Sequence, residues 1–400
     1  MKYLVFLADG MADEPIDALK GKTPLEAAST PGLDSLAKEG SQGTLLTIPE
    51  PFPSSSDAAN LSVLGYDLAR NYCGRGPIEA ARQDIELRED EIAFRCNLIT
   101  IIDGILEDYS AGQIDQKSAE DLISLLNDKL GNSKIKFYPG VSYRNLLILK
   151  GEEFSDKIGY HKPDSNQGEK WKEIMPYSKE PEAEITAKLI KDLIEESIEI
   201  LKDAPANIRL VENNKRPANC IWPWSPGRKP HFESFQDKYG KKGTVISAVD
   251  VILGIGKLTG MQAIKPDGAT GFIDTNYENK VEAALEALKS SDFVYLHLEA
   301  IDECSHMGDL DLKIKAIEDF DKRLVSPVLN KINQNVTIGV LPDHPVPIKL
   351  RKHTRTPVPF LISGGNVPED GNIEYSEKTA ARGGFGYLDK YTFLETLFKY

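Results

Sequence analysis

Short, continuous apolar runs that alternate with helical patterns constrain the fold of this 400-residue chain more than any other feature. The first run, residues 3–8, suits a strand that is buried on both faces and ends at Asp9. Similar runs recur in the C-terminal third, at residues 243–249, 293–298, 336–341 and 358–362. Helical patterns, such as the one at residues 250–258, separate them. This alternation predicts an α/β fold with a mostly parallel sheet sandwiched by helices.

The middle of the chain departs from this alternation, and charged residues and turn-forming residues become more frequent there. It contains a charged amphipathic helix around residues 187–200 and a stretch at residues 222–227, rich in tryptophan and proline, that we interpret as irregular. We therefore predict a discontinuous core domain, residues 1–73 and 236–400. An inserted α+β domain, residues 74–235, would interrupt it.

The composition indicates which classes of partner and which cellular compartment suit this chain. The net charge of −14 argues against nucleic acid or an anionic membrane as the main partner, so an anionic substrate would need local cations or metals. The four cysteines include no C-x-x-C motif, which favours a reducing cytoplasm. No apolar run approaches the roughly 20 residues that span a bilayer, and Asp9 interrupts the first run too early for a signal peptide. Nothing in the sequence indicates an oligomeric state.

Acidic and histidine side chains follow the predicted core strands, at the ends where parallel sheets collect functional groups. Asp9 ends the first strand. Asp302 and His306 follow the strand at residues 293–298 and are four residues apart, so one helical turn presents both. After the strand at residues 336–341 come Asp343, His344 and His353. Any one of these acids alone would suit a cap or a turn, but the joint arrangement predicts a site for Mn²⁺, Zn²⁺ or Mg²⁺. The other histidines, His161, His231 and His297, are expected on the surface or in the core.

Ser56 is a candidate nucleophile because it precedes Asp57 and a predicted helix. A helix N-cap is the simpler interpretation of such a serine. The same geometry, however, offers backbone N–H groups to a phosphate, and a nearby metal lowers the pKa of a hydroxyl. The sequence pattern alone leaves Ser54 and Ser55 as competing candidates.

Arginines of the inserted domain are candidates for binding an anionic substrate, because guanidinium groups bind carboxylate and phosphate in a bidentate manner. The candidates are Arg75, Arg95 and Arg144, with Arg216 and Arg228 less clearly indicated.

The sequence resembles the archaeal-type cofactor-independent phosphoglycerate mutases of the alkaline phosphatase superfamily. The matching segments cover nearly the whole chain and include Asp9-Gly10, Lys22 to Ala27, Ser56-Asp57, Gly65-Tyr66-Asp67, Gly74 to Ala80, Gly268 to Gly271, Asp302 with His306, Asp343-His344 and His353. The segment Leu298 to Glu303 also resembles a sister group proposed to be homoserine kinases, and Pro345-Val346-Pro347 replaces the serine or threonine that usually follows Asp-His in the mutases.

The resemblance implies a two-metal site, with Mn²⁺ first and Zn²⁺ or Mg²⁺ as alternatives, and a phosphoserine on Ser56. Asp9, Ser56, Asp343 and His344 would hold one ion, and Asp302, His306 and His353 the other. The implied reaction interconverts 3-phosphoglycerate and 2-phosphoglycerate, small anionic phosphorylated substrates, without 2,3-bisphosphoglycerate. A homoserine kinase that uses ATP at the same site, and a phosphatase-type metallohydrolase, remain alternatives.

Overall fold

A computed structural model of the chain describes residues 1–332 and 335–400. The described residues form two compact units, Met1–Tyr72 with Phe232–Tyr400, and Cys73–His231. We call the first the core unit and the second the inserted unit. The limits inferred from sequence, residues 74 and 235, lie close to these.

The strands in chain order are β1 Lys2–Ala8, β2 Gly40–Leu45, β3 Glu91–Ile102, β4 Ile105–Asp108, β5 Ile135–Val141, β6 Arg144–Lys150, β7 Ile158–Gly159, β8 Tyr177–Ser178, β9 Cys220–Arg228, β10 Gly243–Ile246, β11 Gln262–Ile264, β12 Phe293–Leu298, β13 Val336–Leu341, β14 Val358–Ser363 and β15 Gly386–Leu388.

The α-helices are α1 Pro24–Ala27, α2 Pro31–Lys38, α3 Ser56–Val63, α4 Leu68–Asn71, α5 Arg75–Arg82, α6 Gln116–Leu130, α7 Glu184–Lys202, α8 Pro205–Glu212, α9 Phe235–Tyr239, α10 Asp250–Leu258, α11 Tyr277–Ser290, α12 Ala300–Met307, α13 Leu310–Asp319, α14 Ser326–Lys331, α15 Glu377–Ala380 and α16 Phe393–Leu397. A π-helix, Phe320–Val325, follows α13, and short 3-10 turns lie at Asp17–Leu19, Asp164–Asn166, Trp171–Ile174 and Pro181–Ala183.

The core unit is built on one sheet, which among the described residues has eight strands in the order β11-β10-β12-β1-β13-β14-β2-β15. Its central strands β10, β12, β1 and β13 run parallel and are buried along their whole length or nearly so, which explains their continuous apolar runs. Apolar residues of α11 and the π-helix, including Tyr277, Val281 and Phe320, pack against this sheet. The predicted fold class, a mostly parallel sheet covered by helices, is confirmed.

β14 is the exception to the parallel pattern. It pairs antiparallel with β13 on one side and with β2 on the other. Its apolar run predicts a buried strand but does not encode its direction, which depends on the course of the connection from residue 341 to residue 358.

The inserted unit has its own core around a second sheet of strand order β4-β3-β6-β5, with β9 paired to β3. All of these pairings are antiparallel. The amphipathic helices α6 and α7 bury Leu122, Ile190 and Ile194 in this core. Asp115 caps the start of α6, where its carboxylate accepts a hydrogen bond from Ser118 N at 3.0 Å.

The interpretation of residues 222–227 as irregular was wrong, because they lie within strand β9. Prolines are tolerated there because β9 is an edge strand, which within residues 1–332 and 335–400 pairs only with β3. A register shift between Ala93 and Arg95 accommodates the strand, opposite Ser225, whose φ is +49°.

Candidate active site

The candidate site lies in the core unit, at the edge of the sheet where β1, β12 and β13 end. Asp9 follows β1 directly, and Asp343 and His344 come shortly after β13. Asp302 and His306 lie one turn apart on α12, which begins just after β12. Parallel strands present their carboxyl ends at one edge, and this topology brings the three segments together.

Two glycines allow these segments to approach closely. Gly10 has φ +65°, and a Cβ built on it would lie 2.7 Å from Asp302 Cα. Gly308 has φ +74°, and its Cβ would lie 2.1 Å from Arg351 Nε, next to the segment that carries His353. A side chain at either position would push apart the residues that form the site.

Ser56, Asp9, Asp343 and His344 form the first half of the site. Ser56 Oγ lies 3.2 Å from His344 Nε2. The same nitrogen lies 3.4 Å from both Asp9 Oδ1 and Asp343 Oδ2. Ser56 is the first residue of α3, and Ser55 is at the N-cap position but makes no capping hydrogen bond with its side chain. The Ser56 hydroxyl is therefore directed at the acid–histidine groups and is not used as a cap.

The neighbouring serines point elsewhere. Ser54 Oγ donates to Thr354 O, and Ser55 Oγ donates to Pro53 O, each at 3.4 Å. Of the three serines that the sequence leaves open, Ser56 has the hydroxyl beside His344.

Asp302, His306 and His353 form the second half of the site. His306 Nε2 lies 2.9 Å from His353 Nε2 and 3.3 Å from Asp302 Oδ2. His353 Nε2 lies 3.6 Å from Asp302 Oδ1, and the His353 ring stacks on His344 with 3.8 Å between centroids. His306 Nδ1 contacts Arg351 O at 2.9 Å, which fixes the orientation of the ring. The two halves are thus in direct contact.

The donor set fits divalent cations. One ligand atom from each of Asp302, His306 and His353 lies within 4.8 Å of the others, and the same holds for Asp9, Asp302 and His344. Asp302 belongs to both groups, whereas the family resemblance implies that it holds one ion only. Within the described residues, Asp9 Oδ1 and Asp302 Oδ1 are buried without a hydrogen-bond partner. Carboxylate oxygens left in this state favour an added positive charge.

The electrostatics of the carboxylates agree with this. Burial, followed by repulsion from Asp343 and Asp302, raises the pKa of Asp9 well above its usual value. Burial likewise raises the pKa of Asp343 to about 7. Burial alone would also raise the pKa of Asp302, but the hydrogen bond from His306 and the charge of His353 outweigh it and lower that pKa. The carboxylates repel one another at this edge, and bound cations would relieve that repulsion.

Two polar residues that sequence reasoning missed hold Asp343 in place. Asn60 Nδ2 donates to Asp343 Oδ2 and to Ser56 O, both at 2.8 Å. Tyr295 OH donates to Asn60 Oδ1 at 2.6 Å and so fixes which end of the amide faces the carboxylate. Asn60 lies on α3 one turn after Ser56, so the helix that presents the serine also orients a neighbouring acid.

His297 was expected to be a surface or core histidine, and it is fully buried, but it also contacts the site. Its Nε2 lies 3.1 Å from Asp9 Oδ2. Burial, then the charge of Lys280, lowers its pKa to about 3, so the ring is neutral. Burial raises the pKa of the nearby Glu299 to about 8. A histidine inside an otherwise apolar strand is the sequence signal that could have identified this contact.

The three candidate arginines lie together in the inserted unit. Arg95 is buried, donates to Glu79 Oε1 at 3.0 Å and to Asn97 Oδ1 at 3.1 Å, and lies over the Trp224 ring. Burial, with the charges of Arg75 and Arg144, lowers its pKa.

The other arginines and histidines of the inserted unit make contacts of their own within that unit. Arg216 forms exposed ion pairs with Glu107 and Asp108, and Arg228 donates to backbone oxygens of Glu89 and Phe154. His161 contacts Ile174 O, and His231 is largely exposed.

Comparisons with known proteins give a consistent match. A family model described as 2,3-bisphosphoglycerate-independent phosphoglycerate mutase matches residues 37–207. A relative of that name from Methanosarcina acetivorans is 46% identical over 387 residues, which cover 96% of each chain. A relative from Geobacter sulfurreducens, named as a probable enzyme of this type, is 42% identical over 404 residues and 99% of each chain.

Solved structures agree over the full length. A Pyrococcus horikoshii protein superposes with a TM-score of 0.83 at 28% identity, covering 100% of this chain and 96% of its own. The cofactor-independent phosphoglycerate mutase of Thermoplasma acidophilum gives a TM-score of 0.67 at 29% identity, covering 100% and 99%. Across residues 1–332 and 335–400, no helix has the length and apolar character needed to cross a membrane.

Proposed function

This chain belongs to the 2,3-bisphosphoglycerate-independent phosphoglycerate mutase family, and we propose that it interconverts 3-phosphoglycerate and 2-phosphoglycerate through a phosphoserine on Ser56. The resemblance inferred from the sequence is thereby confirmed. The observation that carries the mechanism is the position of Ser56 Oγ, 3.2 Å from His344 Nε2 within a buried set of carboxylates and imidazoles. The reaction is an isomerisation that belongs to glycolysis and gluconeogenesis, and a cytoplasmic location is part of the proposal.

Two divalent cations complete the site in this proposal, with Mn²⁺ first and Zn²⁺ or Mg²⁺ as alternatives. Asp9, Ser56, Asp343 and His344 would hold one ion, and Asp302, His306 and His353 the other. The buried carboxylate oxygens without a hydrogen-bond partner, on Asp9 and Asp302, support this assignment. When bound, such cations neutralise phosphate charge and lower the pKa of a serine hydroxyl.

The residues of the chain then divide the work of phosphoryl transfer. Ser56 Oγ attacks phosphorus, a bond from Oγ to phosphorus forms, and the bond from phosphorus to the 3-oxygen of the glycerate breaks. The serine loses a proton and the released 3-hydroxyl gains one. Attack of the 2-oxygen on the phosphoserine reverses these events and regenerates the Ser56 hydroxyl. Asn60 keeps Asp343 and the first turn of α3 in register during both steps.

The inserted unit supplies the substrate-binding arginines in this proposal. Phosphoglycerate carries a carboxylate and a phosphate, so its recognition calls for several cations. Arg75, Arg95 and Arg144 are close enough that the first and third perturb the pKa of the second, which supports a shared anion-binding role. A small zwitterion such as homoserine would need only one of them. The names of the relatives also favour the mutase over the kinase.

Ser56→Ala is the direct test of the mechanism. We expect it to lose several orders of magnitude in the rate of 3-phosphoglycerate conversion, because removal of a covalent nucleophile abolishes the two-step route. Ser54→Ala is the matched control, since the Ser54 hydroxyl donates to Thr354 O and not to the acid–histidine groups among the described residues, and this variant should retain activity. The assay couples 2-phosphoglycerate formation to enolase and runs beside a second assay with ATP and homoserine.

Two results would contradict the proposal. A trapped phosphopeptide that maps to Ser54 or Ser55 would show that one of these serines, and not Ser56, carries the phosphate. A wild-type enzyme that ignores 3-phosphoglycerate but phosphorylates homoserine would establish the kinase.

A further inference from the structure

Ser247, His297 and Asp9 lie side by side at the ends of three adjacent strands. β10, β12 and β1 are neighbours in the core sheet and run parallel. Ile246 pairs with the residue before His297, and His297 itself pairs with Leu7. The sheet therefore places a serine, a histidine and an aspartate in a line across its edge, which we call the Ser247–His297–Asp9 row.

Hydrogen bonds connect the row so that each group donates to the next, from Val249 N to Asp9. Val249 N donates to Ser247 Oγ at 2.9 Å, Ser247 Oγ lies 3.1 Å from His297 Nδ1, and His297 Nε2 lies 3.1 Å from Asp9 Oδ2. As a metal ligand Asp9 is ionised, and an ionised carboxylate only accepts hydrogen bonds, so the proton of a neutral His297 ring lies on Nε2. Nδ1 must then accept, and the Ser247 hydroxyl donates to it. The three side chains are fully buried, so water does not compete for these bonds.

We propose that His297 is a positioning residue for the metal site: Ser247 fixes its tautomer, and His297 Nε2–H holds Asp9 Oδ2 so that Oδ1 faces the cations. This inference rests on the proposed function, which assigns Asp9 as a ligand. Asp9 Oδ1 is the oxygen that lies 3.4 Å from His344 Nε2 and lacks a hydrogen-bond partner. Lys280 Nζ donates to His297 O at 2.9 Å and anchors the end of β12.

A third cation at Asp9, His297 and Glu299 is the competing interpretation, since one ligand atom from each lies within 4.8 Å of the others. Two observations argue against it. His297 Nε2 is at hydrogen-bond distance from Asp9 Oδ2. The buried Lys280, whose Nζ donates to His297 O, also acts electrostatically on Glu299 as a cation from within the protein. The row therefore acts on Asp9 through a hydrogen bond.

A matched pair of variants tests the donor. The amide nitrogen of His297→Gln reaches the position of the ring Nε2, whereas the shorter amide of His297→Asn ends near the position of Nδ1. Calorimetric titration of the metal-free enzyme with Mn²⁺ measures affinity without any substrate. We expect roughly 10- to 100-fold weaker binding for His297→Asn, the usual effect of losing a partner that orients a metal ligand. His297→Gln should bind close to wild type.

A second pair tests the tautomer. Ser247→Ala should weaken Mn²⁺ binding in the wild-type background but add nothing in His297→Gln, where the ring is already absent. Thr244→Ala is the control, because it removes another buried hydroxyl at the far end of β10, where Thr244 Oγ1 contacts Ser291 Oγ at 2.7 Å. It should leave Mn²⁺ affinity unchanged. If both His297 variants fail to fold in thermal scans, the Ser247 and Thr244 pair still decides.

Equal Mn²⁺ affinities for the Gln and Asn variants, or for the Ser247 and Thr244 variants, would overturn the inference. Loss of one of three bound ions in His297→Asn would overturn it in favour of the third cation. A wild type that binds Mn²⁺ but does not isomerise 3-phosphoglycerate would refute the proposed function while the affinity pattern still supports the row.

Discussion

Two buried ionic clusters lie next to each other in the core unit, and the same loops build both. The acid–histidine cluster contains Asp9, Asp302, His306, Asp343, His344 and His353. The Lys313 cluster contains Asp13, Thr23, Lys313 and Glu377. Asp13 lies four residues after Asp9, and Lys313 lies on α13, the helix after the one that carries Asp302.

The clusters differ in how their negative charge is compensated. Lys313 Nζ donates to Asp13 Oδ2 at 2.8 Å and to Val346 O at 3.0 Å, and Thr23 Oγ1 donates to Glu377 Oε2 at 2.7 Å. The acid–histidine cluster has no such lysine or arginine ion pair among the described residues, and carboxylate oxygens of Asp9 and Asp302 lack a partner. A protein-supplied cation thus makes the Lys313 cluster a structural anchor. The acid–histidine cluster lacks such a cation, and in our proposal ions from solution complete it.

Lys313→Met should cause the largest loss of stability. Burial lowers the pKa of Lys313 while the charge of Asp13 opposes that shift, so the ammonium and the carboxylate depend on each other. Removing one partner leaves a buried charge uncompensated, which costs about 3–5 kcal/mol. Denaturant unfolding of the metal-free enzyme, followed by circular dichroism, measures this change.

Lys315→Met is the matched control on the same helix. Lys315 pairs with Asp319 at the exposed surface, so its loss should change stability by less than about 0.5 kcal/mol. Equal effects of the two variants would show that the Lys313 cluster is not an anchor.

The arginines of the inserted unit can be compared with Lys313, and their removal is expected to have a smaller effect, here on catalysis. Arg95→Ala and Arg144→Ala should each lower kcat/KM for 3-phosphoglycerate by ten- to hundredfold, or about 1.5–3 kcal/mol, because each removes a charged hydrogen-bond donor. Arg95→Ala should also destabilise the protein because it leaves Glu79 buried without its cation. Kinetics and unfolding of both variants, with bound metal measured in parallel, check this.

The exposed Arg144 serves as the control for stability. It lies over the Tyr143 ring at 4.7 Å, so Arg144→Ala should change stability by less than about 1 kcal/mol. Wild-type kinetics in both variants would rule out a role for these arginines in substrate binding. Unchanged metal content would separate that result from damage to the acid–histidine cluster.

The parts of the fold that sequence predicted are those where burial alone determines the pattern. The runs at residues 293–298 and 336–341 match β12 and β13, and residues 250–258 match α10. The prediction was wrong for β9, because Pro223 and Pro226 are typical of a loop. An edge strand also tolerates prolines, but the local sequence does not show that β9 lies at an edge of its sheet. Strand neighbours and strand direction are tertiary facts that local pattern does not encode.

The candidate site shows the same division. Residues that follow apolar strands, such as Asp9 and Asp343, stand out because acids are conspicuous after buried runs. Asn60, Tyr295 and His297 were missed because their partners lie on other elements. His297, for example, meets Asp9 only because β12 pairs with β1.

The last prediction concerns pH, and it distinguishes the two clusters without mutation. In the metal-free enzyme burial raises the pKa of Asp343 to about 7 and that of Glu299 to about 8. For His306, burial opposes the shift, but the hydrogen bond to Asp302 raises the pKa to about 9. A group whose pKa is raised by folding stays protonated to a higher pH in the folded state. At any pH between its unfolded-state pKa and its folded-state pKa, the folded protein therefore binds more protons than the unfolded chain. Stability is then lost as pH rises through that window.

Between pH 6.5 and 7.5 these groups act in the same direction. The buried histidines with lowered pKa, His297 and His344, are neutral in both states above their ordinary value of 6.5, so they add little there. We therefore expect the free energy of unfolding of the metal-free enzyme to fall across this interval, by about 1.4 kcal/mol per pH unit for each extra proton bound by the folded state. With saturating Mn²⁺ the ligand carboxylates stay ionised, and the positive charge of the ions opposes the raised pKa of the neighbouring Glu299. This fall should then disappear or reverse, since metal binding strengthens as protons leave. Urea unfolding at pH 6.5, 7.0 and 7.5, with chelator or with Mn²⁺, gives both curves. Parallel curves would mean that the acid–histidine cluster is compensated from within the protein, as the Lys313 cluster is, and the contrast between the two would be lost.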